Sequence, residues 1–308
     1  MLPRLLFVFL DGVGLGPATD ANPLATNDLP AFARLAGGHA WTDEAPVLTE
    51  PRHLFRPIDA NLGVEGLPQS GTGQASLFTG VNCAERAGRH YGPYPHSTSK
   101  PVLKERNLFA RLHAALGTDQ PVDATCAFAN AYPSRFFEVM RQRKRWTVTS
   151  YCCYASGVRL RRAADLERRR ALFADLTGAS WPGADLPVRS EAEAAADLLA
   201  LAARRHVTLF EFWLTDKVGH AQDPGTAAML LASLDRFLGA LLDGLPDDVT
   251  LVLSSDHGNI EDLATKSHTR HPVPLLAVGP GAAALAEVED VCGVVPSLVR
   301  WFGTHRVS

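Results

Sequence analysis

Cysteine is scarce in this chain. Its 308 residues include five, Cys83, Cys126, Cys152, Cys153 and Cys292. The number is odd, no CxxC pair occurs, and adjacent Cys152 and Cys153 rarely bridge, which argues against a disulfide framework and for reduced thiols in a cytoplasmic protein. An excess of positive charge is also missing. Lysine and arginine total 30 against 33 acidic residues, a formal net charge of -3, whereas a nucleic-acid-binding domain is usually basic. The two basic runs, 141–145 and Arg168–Arg170, read as solvated faces. A membrane partner is not expected either. The N-terminal run Leu5–Leu10 is far shorter than the roughly 20 residues a spanning helix needs. It lacks a small-residue cleavage site and runs straight into Asp11-Gly12, as a buried strand does. Neither a signal peptide nor a transmembrane helix is expected.

What is present is an ordinary globular composition, 46% hydrophobic and 20% charged, on a chain long enough for one large α/β domain. Continuous apolar runs at Leu5–Leu10, Ala124–Phe128, Val207–Leu214, Thr250–Ser254 and Val273–Val278 suit strands covered on both faces. Helical patterns lie between them at Leu29–Ala36, up to Thr79 from the loop before Ser76, Asn107–Ala115, Glu191–Arg204, Thr226–Leu242 and Val294–Phe302. The alternation predicts an α/β fold with a doubly wound, mostly parallel sheet sandwiched by helices. The reading is of one domain over 1–308. Its rhythm is broken at about 131–189, where an arginine- and aromatic-rich stretch is expected to form a small inserted cap.

Ligands of such sheets sit beyond the carboxyl ends of the strands, and the unusual polar residues fall there. Asp11 ends the first apolar run, although a turn or cap aspartate would look the same. Asp216 and His220 follow the third run four residues apart, so one helical turn puts both on one face. They suit a shared divalent ion or a plain Asp–His hydrogen bond. Asp256-His257 follows the fourth run, and such a pair is costly to bury unless a charge offsets it. His268 and His271 stand just ahead of the fifth. Together these make a dimetal site more plausible than several coincidences. Ser70 lies in Gln69-Ser70-Gly71-Thr72-Gly73, a glycine-rich turn entering a helix, where backbone amides favour phosphate. Thr72 is the competing nucleophile, and an N-capping serine is the plain alternative. The pattern is neither a P-loop nor a Gly-x-Ser-x-Gly elbow.

These segments, in this order, resemble the alkaline phosphatase superfamily, and within it the cofactor-independent phosphoglycerate mutases and phosphopentomutases. Ser70 stands three before Gly73 and ten before Gly80, as the phosphorylated residue does there. Asp216-Lys-Val-Gly-His220, Asp256-His257-Gly-Asn and His268-Thr-Arg-His-Pro-Val-Pro match three further motifs, with His271 where asparagine is usual. The resemblance implies two divalent ions, zinc or manganese. Asp216, His220 and His268 would hold one, and Asp11, Asp256, His257 and the Ser70 oxygen the other. It also implies a small phosphorylated substrate and a metal-dependent phosphoric ester hydrolase working through a phosphoserine at Ser70. The alternatives are a phosphomutase and, further off, a non-catalytic metal-binding protein. The mutases carry a large second domain between the nucleophile and the Asp216 segment, and here the interval leaves room only for a reduced cap. Gly71, Thr72, Arg89, His90 and Lys100 are the candidates for substrate contact.

Overall fold

Alternating side chains of the first strand feed two separate cores, and this organises the rest. The computed structural model describes residues 2–143, 145–182 and 186–305. Lys144 of the basic run, and part of the cap-like stretch at 183–185, lie outside them. Strand β1 (Arg4–Leu10) sends Leu5, Phe7 and Phe9 to one face and Leu6, Val8 and Leu10 to the other. A strand buried on both faces has no polar side to show, which is why its sequence reads as an unbroken apolar run. The first face is covered by helices Ser70–Thr79, Leu108–Leu116, Val148–Ser156 and Val291–Gly303, the second by Pro30–Leu35, Glu191–Ala202 and Pro224–Gly244. On the first face Phe78 meets Phe7 and Phe9 edge-on at 6.2 and 5.2 Å between ring centroids. That contact seats the helix that begins at Ser70.

The other strands are β2 (Leu48–Glu50), β3 (His53–Ile58), β4 (Cys126–Phe128), β5 (Val207–Phe212), β6 (Val249–Ser254) and β7 (Val273–Val278). They form one seven-stranded sheet in the order β2-β3-β7-β6-β1-β5-β4. β6, β1, β5 and β4 are mutually parallel. β7 is not parallel to β6 as its apolar run suggested. It pairs antiparallel, Leu253 opposite Leu276, and β3 and β2 continue antiparallel beyond it. Apolar continuity reports burial on both faces and carries no information on direction. The segment 255–272 leaves and re-enters the sheet at one end, so the chain must run back. Two expected boundaries also move. Val122–Thr125 is a helical turn ahead of β4, and β5 stops at Phe212 because Leu214 already belongs to helix Leu214–Ala221.

Helix Pro224–Gly244 has 21 residues and a mean hydropathy of 1.4, long and apolar enough to cross a membrane, which the sequence reading had not recognised. Its stripe Leu231, Leu234, Leu238 and Leu241 is buried in the second core, and its Asp235 accepts from the Ala31 and Phe32 amides at 2.8 and 3.1 Å. Those amides open helix Pro30–Leu35 and have no carbonyl to meet within it. In the stretch 131–189, helix Val148–Ser156 buries Val148, Cys152 and Cys153 in the first core. Ala131, Leu166, Ala171 and Phe173 form a small cluster of their own.

Candidate metal centre

Three adjacent strands deliver the acids. β1 hands over to Asp11, β5 to the helix with Asp216 and His220, and β6 to Asp256 and His257, all at the carboxyl end of the sheet. Gly12, with φ of +69°, lets the chain turn away immediately after Asp11. A Cβ built there would lie 2.7 Å from the Asp216 Oδ1 atom, so only glycine lets the two carboxylates approach.

The seven residues picked from the sequence converge. His257 Nε2 lies 3.0 Å from Ser70 Oγ and 3.4 Å from both Asp11 Oδ1 and Asp256 Oδ2. His268 Nε2 lies 3.4 Å from Asp216 Oδ1 and 3.3 Å from His220 Nε2, which is itself 3.4 Å from Asp216 Oδ2. Potential ligand atoms fall into two groups, each within 4.8 Å, Asp11-Asp256-His257 and Asp216-His257-His268. The His257 and His268 rings stack at 3.8 Å, which brings the groups together.

The electrostatics of this cluster call for cations. Burial, then the neighbouring carboxylates Asp256 and Asp216, push Asp11 well above the ordinary carboxyl value. Burial and Asp216 take Asp256 to about 8. Burial and the neighbouring His268 bring His257 down to about 3, which keeps its imidazole neutral and ready to ligate. Asp216 is held low against its own burial by His268 and His257. Asp11 Oδ1 and Asp256 Oδ2 are buried and find no hydrogen-bond donor among the described residues. Orphaned carboxylate oxygens aimed at a neutral imidazole fit a divalent cation.

Supporting residues hold the ligands in place. Glu261, 1% exposed, accepts from the amides of Gly14 and Asn259 at 2.9 and 2.8 Å and from the Thr269 hydroxyl, and it pairs with His271 Nδ1 at 3.1 Å. It thereby ties together the loops bearing Asp11, Asp256-His257 and His268. His271 serves this tie and stands outside both ligand groups. Asn259 donates to Asp216 Oδ1 at 2.7 Å, and Gln74, four residues after Ser70, donates to Asp11 Oδ2 at 3.1 Å. Glu211, in β5, is pushed by burial to about 7 and accepts from the Thr149 hydroxyl at 2.8 Å. None of these four was assigned a role from sequence. Signals existed for two: a glutamate inside an apolar strand, and a glutamine one helical turn beyond Ser70.

Ser70 opens helix Ser70–Thr79 and is 8% exposed. A Cβ on Gly71 would come within 2.7 Å of the Tyr91 carbonyl oxygen, so the loop 91–94 packs directly on the turn. Thr72 is turned elsewhere. Its amide and hydroxyl both face the Gln69 and Tyr91 carbonyls, and its oxygen accepts from the Tyr91 amide at 3.1 Å. It is thus displaced as rival nucleophile and as amide donor to a phosphate. Two cavities open at Ser70. The smaller, about 380 Å³, is walled by Gln69, Asp216, His220 and His268, and the larger, about 660 Å³, by Asp11, Gln74 and a set of aromatic residues. Arg89, His90 and Lys100 line neither. Arg89 lies over the Tyr91 ring at 5.6 Å, His90 is half-buried beside Gly66, and Lys100 is exposed on helix Ser99–Arg106.

Comparison with known proteins agrees with this geometry. The family model of the Metalloenzyme superfamily matches residues 177–305. The phosphopentomutase of Deinococcus radiodurans is 43% identical over 91 residues, which is 29% of this chain and 24% of that protein. The 2,3-bisphosphoglycerate-independent phosphoglycerate mutase of Halobacterium salinarum is 34% identical over 100 residues, 30% of this chain and 20% of that one. The matched stretch is thus about a quarter or less of these relatives' length. Among solved structures, alkaline phosphatase from the Antarctic bacterium TAB5 aligns over 99% of both chains with a TM-score of 0.54 at 11% identity. Leishmania mexicana phosphoglycerate mutase aligns over 98% of this chain and 96% of its own with a TM-score of 0.53, also at 11% identity. The family match falls on the segments that carry Asp216 to His268, where residues 177–305 are similar to the Metalloenzyme superfamily, and the fold match over the whole shows that the chain has an alkaline phosphatase-like fold.

Proposed function

We propose that the protein hydrolyses phosphoric esters through a phosphoserine formed on Ser70. The observation that carries this reading is the Ser70 hydroxyl, set 3.0 Å from His257 Nε2 at the edge of a cluster of buried carboxylates and imidazoles. Asp216, His220 and His268 would hold one divalent ion, and Asp11, Asp256, His257 and Ser70 Oγ the other; the mixed nitrogen and oxygen donors suit zinc or manganese. Bound ions would supply the positive charge that lowers the hydroxyl pKa and stabilises the transferring phosphoryl group. The rest falls to the chain. The helix that starts at Ser70 places Oγ at its N-terminus, where the helix dipole favours a phosphate. In the first half-reaction the Oγ–P bond forms and the ester P–O bond breaks, the leaving alcohol taking up a proton. In the second, a water oxygen bonds to phosphorus and the Oγ–P bond breaks, a proton from that water returning to Ser70.

Hydrolysis is our preferred reading over mutase chemistry because the chain between Ser70 and Asp216 leaves room for only a reduced cap. Between Ser70 and Asp216 much of the chain is core, including Val148–Ser156 and β5, and the 660 Å³ cavity stays in contact with solvent. Water therefore competes for the intermediate. Metal-loaded protein, zinc or manganese being restored after chelation, is expected to release inorganic phosphate from phosphomonoesters. Isomerised product from ribose 1-phosphate or 3-phosphoglycerate, with no phosphate released, would assign the mutase reaction instead. The cysteines, none of them disulfide-bonded, suit the cytoplasm.

Glu261→Gln gives a separate test of the cluster. It keeps the shape but removes the charge that anchors four groups on three loops. Metal affinity, read by competition with a chelator, is expected to fall by about 10–100-fold, as for groups that orient ligands elsewhere. An unaltered affinity would mean the loops hold themselves.

A further inference from the structure

The two cavities that meet at Ser70 differ in chemistry, and the difference selects a substrate. The smaller is walled by Asp216, His220 and His268 and belongs to the phosphoryl group under the hydrolase reading, on which this inference rests. The larger, about 660 Å³, also reaches Ser70 and is the remaining place for the leaving group. Its walls carry Tyr94, Tyr132, Phe136, Trp181 and Trp213. Tyr132 and Phe136 are stacked on each other at 3.9 Å and 15°, forming a stiff slab. Its charged lining is mostly acidic, Asp11, Asp175, Glu211 and Asp216 against Lys217 alone. A three-carbon alcohol would leave most of the volume unfilled and the aromatic faces wet. The size matches a cavity for an organic ligand of nucleoside dimensions.

From this we infer that the substrate is a phosphomonoester whose leaving group is planar and aromatic, such as a nucleoside or an aryl alcohol. Its ring lies against the aromatic wall while its phosphate reaches Ser70. Stacking of this kind is tolerant of the ring's identity, because every aromatic ring offers a face. Attack by Ser70 Oγ breaks the bond between phosphorus and the leaving oxygen, and the alcohol departs protonated into the aromatic cavity.

The test compares phosphate release by metal-loaded protein from adenosine 5′-monophosphate, 4-methylumbelliferyl phosphate, glycerol 2-phosphate, 3-phosphoglycerate and phosphocholine. Aryl esters are intrinsically reactive, so the reading is how each preference changes in Trp181→Ala and Tyr94→Ala. The preference in kcat/KM for the planar substrates over glycerol 2-phosphate is expected to be at least about tenfold and to shrink by about tenfold in these variants. Which planar substrate suffers more separates a nucleoside from an aryl site. A preference for 3-phosphoglycerate or phosphocholine, or a ratio that neither variant moves, overturns the inference and leaves hydrolysis standing. If no ester releases phosphate, the hydrolase reading falls. The cavity is then read by calorimetric binding of adenosine 5′-monophosphate to the metal-loaded Ser70→Ala protein. Binding weakened about tenfold by adding Trp181→Ala supports a planar-ring site, and absence of binding at millimolar concentration ends it.

Discussion

Ser70→Ala is expected to lower turnover of any phosphomonoester substrate by about three orders of magnitude or more while the metal content stays at two ions per chain. The argument is geometric. The serine is 8% exposed, its hydroxyl lies 3.0 Å from His257 Nε2, and its backbone begins a helix seated by Phe78 between Phe7 and Phe9. Deleting one oxygen removes the nucleophile without unseating the helix, so thermal stability should change little. The six remaining ligands keep their positions through Glu261, Asn259 and Gln74. Residual rate would come from water attacking directly on the substrate. The checks are steady-state kinetics beside elemental analysis. A loss smaller than about tenfold would assign Ser70 a structural part and end the phosphoserine reading.

Asp256→Asn is expected to act in opposite directions on the metal-free and metal-loaded protein. Without metal, the folded carboxyl titrates near 8, against 3.8 ordinarily. The folded chain then holds a proton that the unfolded chain releases, and stability falls as pH rises between those two values. Asp216, whose carboxyl is held low, adds stability already complete above 3.8. His257, held neutral in the fold, offsets the slope below about 6.5, whereas Asp11 and Glu211 add to it, so the Asp256 share is the difference between parent and variant. Asparagine removes a buried like charge, so the metal-free variant should melt a few °C higher than the parent at pH 8 and lose much of the slope. Metal-loaded, it should melt lower than the parent, bind one ion less and turn over about a thousandfold more slowly, because a neutral amide is a poor ligand. Melting curves at pH 5 and 8, with and without metal, decide it. A metal-free variant less stable than the parent at pH 8 would show that the carboxylate is already compensated by the fold.

The two sides of the site were legible to different degrees. The cluster of acids and histidines could be read because such residues directly after apolar runs are expensive unless something offsets their burial, and Asp11, Asp216 and Asp256 stand in that position. Strand direction could not, as β7 shows. Nor could β2 and β3, whose residues, such as His53 and Arg56, alternate weakly in polarity. The substrate contacts chosen for charge, Arg89, His90 and Lys100, line neither cavity at Ser70, and three of the larger cavity's aromatics, Tyr132, Phe136 and Trp181, come from the stretch read only as a cap. Charge signals where a chain is wet more often than where it binds. Thr72 illustrates another limit. It shares a motif with Ser70, yet the helical rotation over two residues sends it to the Tyr91 carbonyl.

The order of the sheet has a kinetic corollary. The neighbours of β1 are drawn from 207–212 and 249–254, so no short fragment contains both groups of potential ligands. Closing such long loops is entropically slow to be rewarded, and parallel pairing between distant segments forms late. A nascent chain released as far as helix Leu214–Ala221 would carry Asp11 and Asp216 but neither Asp256 nor His268. Competence to capture the two proposed ions therefore arises only once the last third of the polypeptide has docked, and cation uptake followed in real time would report completion of folding.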